Sequence, residues 1–170
     1  MRGAIDVRTS VRSYQEIPLK REDIDFIQEI LEQARSLKGP FQTSITPFFV
    51  EQEVSQSKER IGTYGFVKHA PAFIGATTKN ERNALIDFGY VFERIILELT
   101  RHNLGTVWLG GTFHRAQFQQ FVTGDSFIPA ISPVGYEDEM TLKERVIRKL
   151  VTSDRRKALK EIILSSEADI

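Results

Sequence analysis

"ERNALIDFGYVFERIILELTRHNLGTVWLGG" (residues 81–111) is the stretch on which the fold turns. Its first part carries a helical period. Leu85, Phe88, Val91, Phe92, Ile95, Ile96 and Leu99 recur at helical spacing, and Leu97 widens the apolar surface. A helix apolar over so wide an arc needs partners on several sides, so it is expected at the centre of the fold. Gly105 is its expected C-terminal stop. "TVWLGG" (106–111) then reads as a short strand ending in two glycines, with Trp108 expected in the core. Gly89 lies inside the helix, where glycine costs roughly 1 kcal/mol relative to alanine. Close approach of another helix or of a partner subunit is the expected reason.

Upstream, "LKREDIDFIQEILEQARSLKG" (19–39) is a second amphipathic helix with Ile24, Ile27, Ile30, Leu31 and Ala34 on one face, stopped by Gly39-Pro40. "RGAIDVR" (2–8) looks like a first helix. "TPFFVEQEV" (46–54) reads as a strand buried at one end, and "PAFIGATT" (71–78) as a short apolar strand. "SKERIGTYGFVKHA" (57–70) is expected to be a short helix and loop. Downstream, "HRAQFQQFV" (114–122) reads as a short helix. "IPAISPVGYED" (128–138) reads as a fourth strand in which Pro133 suggests an edge or a bulge. "TLKERVIRKLVTSDRRKALKEIIL" (141–164) is basic and helical in places. Four short strands with helices between them give an α+β, three-layer expectation. The helix at 82–103 needs more partners than one chain of 170 residues readily supplies, which points to a dimer.

Composition excludes several functions. Lys plus Arg number 23 and Asp plus Glu number 23, so the formal charge is zero, unlike a general nucleic-acid binder. The basic tail is interleaved with Glu144, Asp154 and apolar residues, which fits a solvated amphipathic face. There is no cysteine, hence no disulfide, thiolate metal site or cysteine nucleophile. No apolar run approaches the roughly 18 residues that span a bilayer. No leader-like segment opens the sequence, so a cytoplasmic protein with no membrane partner is expected. His69, His102 and His114 fall in no metal-ligand spacing, the carboxylates form no evident catalytic pair, and neither G-x-S-x-G nor a P-loop occurs.

One polar motif stands out: "RTSVRSY" (8–14). Arg8 and Arg12 flank Thr9 and Ser10. Forked guanidinium donors beside hydroxyls and backbone N–H groups are what a phosphate requires. The alternative is a hydroxyl helix cap with two solvated arginines.

Taken together, these pieces resemble the flavin-dependent nitroreductase family. "RTSVRSY" resembles that family's opening Arg-x-Ser-x-Arg-x-aromatic motif. "DFGYVFERIILELTRHNLGTVWLGG" (87–111) resembles its central helix followed by Gly-Leu-Gly-Thr-x-Trp-hydrophobic-Gly, with Asn103 at the first of those glycines. "IPAISPVGY" (128–136) is similar to its strand ending in Pro-x-Gly-aromatic, and "RRKAL" (155–159) to its terminal Arg-Lys-Pro-Leu. The resemblance spans the chain and implies a single nitroreductase-like domain over residues 1–170. It implies a central, mostly antiparallel sheet flanked by helices.

The resemblance further implies bound FMN. Arg8, Thr9, Ser10, Arg12 and Arg156 would hold its phosphate and ribityl chain, and Leu109, Gly110 and Gly111 its ring. NADH or NADPH would be the reductant and a small nitroaromatic or quinone-like molecule the electron acceptor. No catalytic side chain is required, because a flavin carries the chemistry. A homodimer sharing its flavin sites is implied as well. The chain departs from the family in one place. Where relatives carry Ala-Pro-Ser-x-x-Asn-x-Gln-Pro-Trp against the ring, this sequence reads "LKGPFQTSITPFFV" (37–50), keeping only Pro47 and an aromatic at Phe48. The alternative function is therefore a catalytically silent protein of this fold that binds flavin or another small ligand without turnover. The discriminating features are Gln42, Thr43 and Ser44, which could meet the ring edge, and Phe41 and Phe48, which could fill its place.

Overall fold

The computed structural model describes residues 2–52, 65 and 67–138. These belong to the first of two units into which the chain divides, residues 1–138 and residues 139–170. The expectations for 57–64 and for the basic tail lie outside the described residues. In chain order the elements are α1 (Arg2–Val7), α2 (Arg21–Ser36), β1 (Thr46–Glu51), β2 (Ala72–Lys79), α3 (Arg82–Arg101) and β3 (Gly105–Thr106). A 3-10 helix (Arg115–Phe121), β4 (Ser126–Phe127) and β5 (Ile131–Gly135) follow.

The sheet runs β1-β2-β5-β3, with β4 pairing the far end of β2, and every strand pair is antiparallel. Side chains alternate across β2. Ala72, Ile74 and Ala76 join the core formed with α2 and α3, while Phe73 joins a second core containing Phe48, Phe113, Phe118 and Ile131. The second core is rich in aromatic side chains. Phe48 stacks on Phe121 with ring centroids 4.2 Å apart, and Phe118 meets Phe113 edge-on at 5.7 Å. The arrangement is α+β and three-layered, as the sequence leads one to expect.

α3 buries Phe88, Val91, Phe92, Ile95, Ile96, Leu97 and Leu99. Leu85 departs from expectation: in the first turn of the helix it is 36% exposed, although it falls on the same helical azimuth as the buried Phe92 and Ile96. The arc facing the core begins instead at Ala84, Asp87 and Phe88. The helix also ends differently. Asn103 adopts φ 58°, its N–H bonds the Thr100 carbonyl, and the Leu104 N–H bonds the Leu99 carbonyl at 2.9 Å. This is a left-handed cap in which asparagine takes the role usually given to glycine. Gly105 is thereby released from that role. A Cβ at residue 105 would stand 2.9 Å from Val11, so the glycine permits close approach of the opening stretch. At Gly89 an added Cβ would meet nothing within 4 Å, so among the described residues no element packs against it. Trp108 is half-buried and presents its ring edge-on to Phe92 at 4.8 Å.

Pro133 corrects another expectation. β5 is central, between β2 and β3, and Pro133 lies opposite Phe73. Leu109 and Ile131 exchange both backbone hydrogen bonds, so the next such pair along would be Val107 with Pro133. Proline has no N–H to give. The Val107 carbonyl therefore loses that donor, and the other half of the pair runs through the buried Ser132 hydroxyl, which accepts from the Val107 N–H at 3.1 Å and donates to the Pro133 carbonyl at 2.8 Å. A serine side chain thus relays one half of a strand pair whose other half the following proline cannot make. Ser132→Ala should cost about 1–3 kcal/mol, since it strands a buried N–H and a buried carbonyl. Urea unfolding of the variant checks this; an unchanged midpoint would show that the hydroxyl does not carry the ladder.

Candidate functional site

The opening stretch leaves α1 at Arg8, whose N–H bonds the Ala4 carbonyl at 2.9 Å. It then runs along the outer edge of β3. Ser10 pairs with Thr106 in a parallel bridge, and the Val11 N–H bonds the Thr106 carbonyl at 2.9 Å. An open sheet edge offers unpaired backbone groups, and this stretch covers them. Val11 enters the aromatic core. Farther along, the Lys68 N–H bonds the Arg12 carbonyl, and the Tyr14 N–H bonds the Lys68 carbonyl. Tyr14 is fully buried and donates its hydroxyl to the Val11 carbonyl at 2.8 Å. Burial, followed by the Glu137 charge, pushes its phenol well above the ordinary range, against a smaller opposing pull from Arg12.

Motifs nearly a hundred residues apart in sequence are therefore joined. Thr9 and Ser10 are half-buried, and Arg12 is exposed with no ion pair among the described residues. The Arg8 Nε stands 3.6 Å from the Glu93 Oε1, longer than the 2.7–2.9 Å of a charge-assisted hydrogen bond. The Thr106 hydroxyl, beside Ser10, is buried without a hydrogen-bond partner among the described residues. Guanidinium and hydroxyl groups such as those of Arg8, Arg12, Thr9 and Ser10 are donors of the kind a phosphate takes. Arg156 lies outside the described residues.

At the glycine turn, Leu109 is buried, and its N–H is engaged by the Ile131 carbonyl at 2.9 Å. Gly110 and Gly111 are exposed, and a Cβ on Gly111 would border open space. The turn is fixed by a residue the sequence did not flag. Arg115 donates to the Gly110 carbonyl at 2.7 Å and to the Ile128 carbonyl, with its guanidinium 4.8 Å from the centre of the Phe113 ring.

The divergent 39–44 segment is held by Asp87, whose side chain is fully buried on α3. Its carboxylate accepts the Phe41 N–H at 2.9 Å, the Thr43 N–H at 2.7 Å and the Thr43 hydroxyl at 2.8 Å. Gly39 is required there, because its Cβ would overlap the Asp87 carboxylate at 2.2 Å. Gln42 donates to the Gly39 carbonyl, and Lys38 donates to the Ser44 hydroxyl. Phe48 is buried in the aromatic core and Phe41 is 46% exposed. Glu93, Asp87 and Arg115 are thus the residues that sequence reasoning passed over. Only Asp87 carried a signal, a carboxylate placed on the apolar arc of a helix. Among the described residues, no group of three or more His, Asp or Glu side chains could hold a metal ion. No helix there is long and apolar enough to cross a membrane.

Comparison with known proteins identifies the family and the fold. The family model described as "Putative TM nitroreductase" matches residues 1–170. No curated protein matches the sequence. Among solved structures, a nitroreductase family protein from Clostridium difficile 630 is similar, with 20% identity, 96% of each chain covered and a TM-score of 0.63. A nitroreductase-like family protein from Bacillus cereus gives 17% identity, 98% and 95% coverage and a TM-score of 0.65. A nitroreductase with bound FMN from Bacteroides fragilis gives 18% identity, 82% and 89% coverage and a TM-score of 0.60. The chain has the nitroreductase fold and belongs to the nitroreductase family that the model describes.

The Asp87 anchor makes the 39–44 segment sensitive to acid. Burial alone would raise the Asp87 carboxyl. The hydrogen bonds from Phe41 and Thr43, with the Lys38 charge, outweigh it and hold the group below the 3.8 of a free aspartate. The unfolded chain therefore takes up this proton first as pH falls. The carboxylate's contribution is present above 3.8 and is lost as pH falls through the depressed folded value. Compared with Asp87→Asn, the wild type should be more stable by a margin that is constant well above that pH and closes below it. Urea titrations across pH measure the margin; one that persists into acid would rule out this anchor as the source.

Proposed function

We propose that the protein is an FMN-dependent oxidoreductase that uses NADH or NADPH to reduce a small nitroaromatic or quinone-like acceptor. The observation that carries this reading is the pairing of Ser10 and Val11 with Thr106, which brings the arginine-hydroxyl motif beside the strand leading to the glycine turn. Arg8 and Arg12, with Thr9 and Ser10, would bind the phosphate; Arg156 is assigned to the same group. Leu109 would supply an apolar wall, and the N–H groups of Gly110 and Gly111 would orient the ring edge, with Arg115 holding the turn. Bound FMN supplies the hydride acceptor and donor, so these residues need only bind, orient and polarise.

The same reading places the protein in the cytoplasm as a homodimer. Supporting it, Ile86 and Tyr90 of α3, Ile5 and Val7 of α1, and Phe41 on the Asp87-anchored loop are all exposed, Tyr90 by 55%. Exposed apolar surface of this kind marks association. The open space at Gly89 would receive the partner's helix. Tyr90→Arg should shift the protein from dimer to monomer in sedimentation; a wild type that is already monomeric would dismiss this interface.

One observation favours a second reading, a silent binding protein of the same fold. The polar groups of Gln42, Thr43 and Ser44 are engaged within their own segment and by Asp87, not offered to a ring. An absorbance spectrum followed by NADH or NADPH without oxygen separates the two. A flavin spectrum that bleaches supports the oxidoreductase; bound flavin that stays oxidised supports the silent protein. With charged hydrogen bonds contributing about 1.5–3 kcal/mol each, the Arg8→Ala, Arg12→Ala double variant should bind FMN about a hundredfold or more weakly while unfolding as the wild type does. Wild-type FMN occupancy in that variant would return "RTSVRSY" to a plain helix exit.

A further inference from the structure

Resting on the reading of Arg8 as a phosphate ligand, we infer that Glu93 is the built-in counter-anion of that site. An incoming phosphate monoester displaces it from Arg8. Its charge sets how strongly a phosphorylated flavin is preferred over the dephosphorylated form.

The Glu93 carboxylate is divided between two partners of unequal grip. Its Oε2 accepts the Trp108 indole N–H at 2.7 Å, a full hydrogen bond. Its Oε1 stands 3.6 Å from the Arg8 Nε, an attraction without a hydrogen bond. Trp108 is itself fixed, with its ring edge-on to Phe88 and Phe92. The indole therefore sets the position of the carboxylate, and Arg8 is only drawn toward it. A phosphate oxygen could approach the guanidinium to hydrogen-bonding distance, which Glu93 does not reach. Exchange of one anion for the other would leave Glu93 tethered to Trp108, close enough to repel the newcomer. The two side chains of the pair are 25% and 40% exposed, so water weakens that repulsion without abolishing it.

Two consequences follow. Removing the charge at 93 strengthens binding of a ligand that carries phosphate and leaves a neutral ligand unaffected. Because Trp108 is the chain's single tryptophan, its emission reports any change at Glu93.

Glu93→Gln is the informative variant, since its carbonyl still accepts from the indole while the charge is gone. FMN and riboflavin dissociation constants would be measured by flavin fluorescence on the wild type and on E93Q. Trp108 emission would be followed during titration with inorganic phosphate, against chloride at equal ionic strength. The expected result is FMN binding about three- to tenfold tighter in E93Q with riboflavin unchanged. Inorganic phosphate should shift the wild-type emission and fail to do so in Arg8→Gln. Equal FMN affinities, or an equal gain for riboflavin, would overturn the inference while leaving the flavin reading intact. If the wild type binds neither flavin, the flavin reading fails by itself and the phosphate titration decides. A shift that needs Arg8 keeps Glu93 as the counter-anion of a phosphate site, and no shift ends that role.

Discussion

The contact between Val11 and Gly105 is the constraint on which the site rests. The opening stretch reaches the edge of β3 only because residue 105 has no side chain. From that contact follow the Val11 hydrogen bond to Thr106, the Ser10 bridge and the covering of the sheet edge. Arg8 is then delivered to α3, where Glu93 meets it. A Cβ at 105 would push the stretch away and separate the arginine motif from the glycine turn. The close packing of a backbone against one valine thus decides whether two distant motifs form one site.

α3 organises the remainder through a few polar groups set beside its apolar arc. Near its start, Asp87 gathers the 39–43 segment; midway, Glu93 joins Arg8 and Trp108. At its end, His102 stacks on Phe26 and contacts Asp23, which also receives the Tyr136 hydroxyl. Burying an ionised carboxylate is tolerable only when its lone pairs are met. Each of these groups therefore ties a separate segment to the helix. The apolar face gives α3 its place in the core, and the carboxylates specify what lies around it.

Much of the architecture was legible because it depends on periodicity. The arcs of α2 and α3, the apolar run of β2 and the half-buried β1 are local patterns, and a local pattern survives tertiary packing. Gly105 was read as a helix stop because glycine usually serves there, but Asn103 adopts the left-handed conformation and Gly105 answers to Val11. Pro133 suggests an edge or a bulge, but it lies in a central strand in unbroken register, where the Ser132 hydroxyl bridges the Val107 N–H to the Pro133 carbonyl. Leu85 matches the helical period yet stays 36% exposed in the first turn of the helix. For Gly105 the deciding partner is distant in sequence, and for Pro133 it is a side chain acting beside the backbone. The same holds for the site. Arg8 and Ser10 could be picked out by composition, whereas Glu93 and Arg115 acquire meaning only from what folding brings to them.

The zero net charge and the cationic motif are reconciled by the same reasoning. A site for a phosphate must concentrate guanidinium groups, and those groups repel one another when no anion is present. On the proposed reading, the carboxylate that the central helix supplies offsets part of the Arg8 charge before a phosphate arrives. Its distance of 3.6 Å keeps that offset weaker than the hydrogen bonds a phosphate would form. Trp108 fixes that distance, since the indole hydrogen bond at 2.7 Å sets where the carboxylate can stand. The tryptophan that first reads as a core residue is therefore also the part that tunes the charge beside the opening motif.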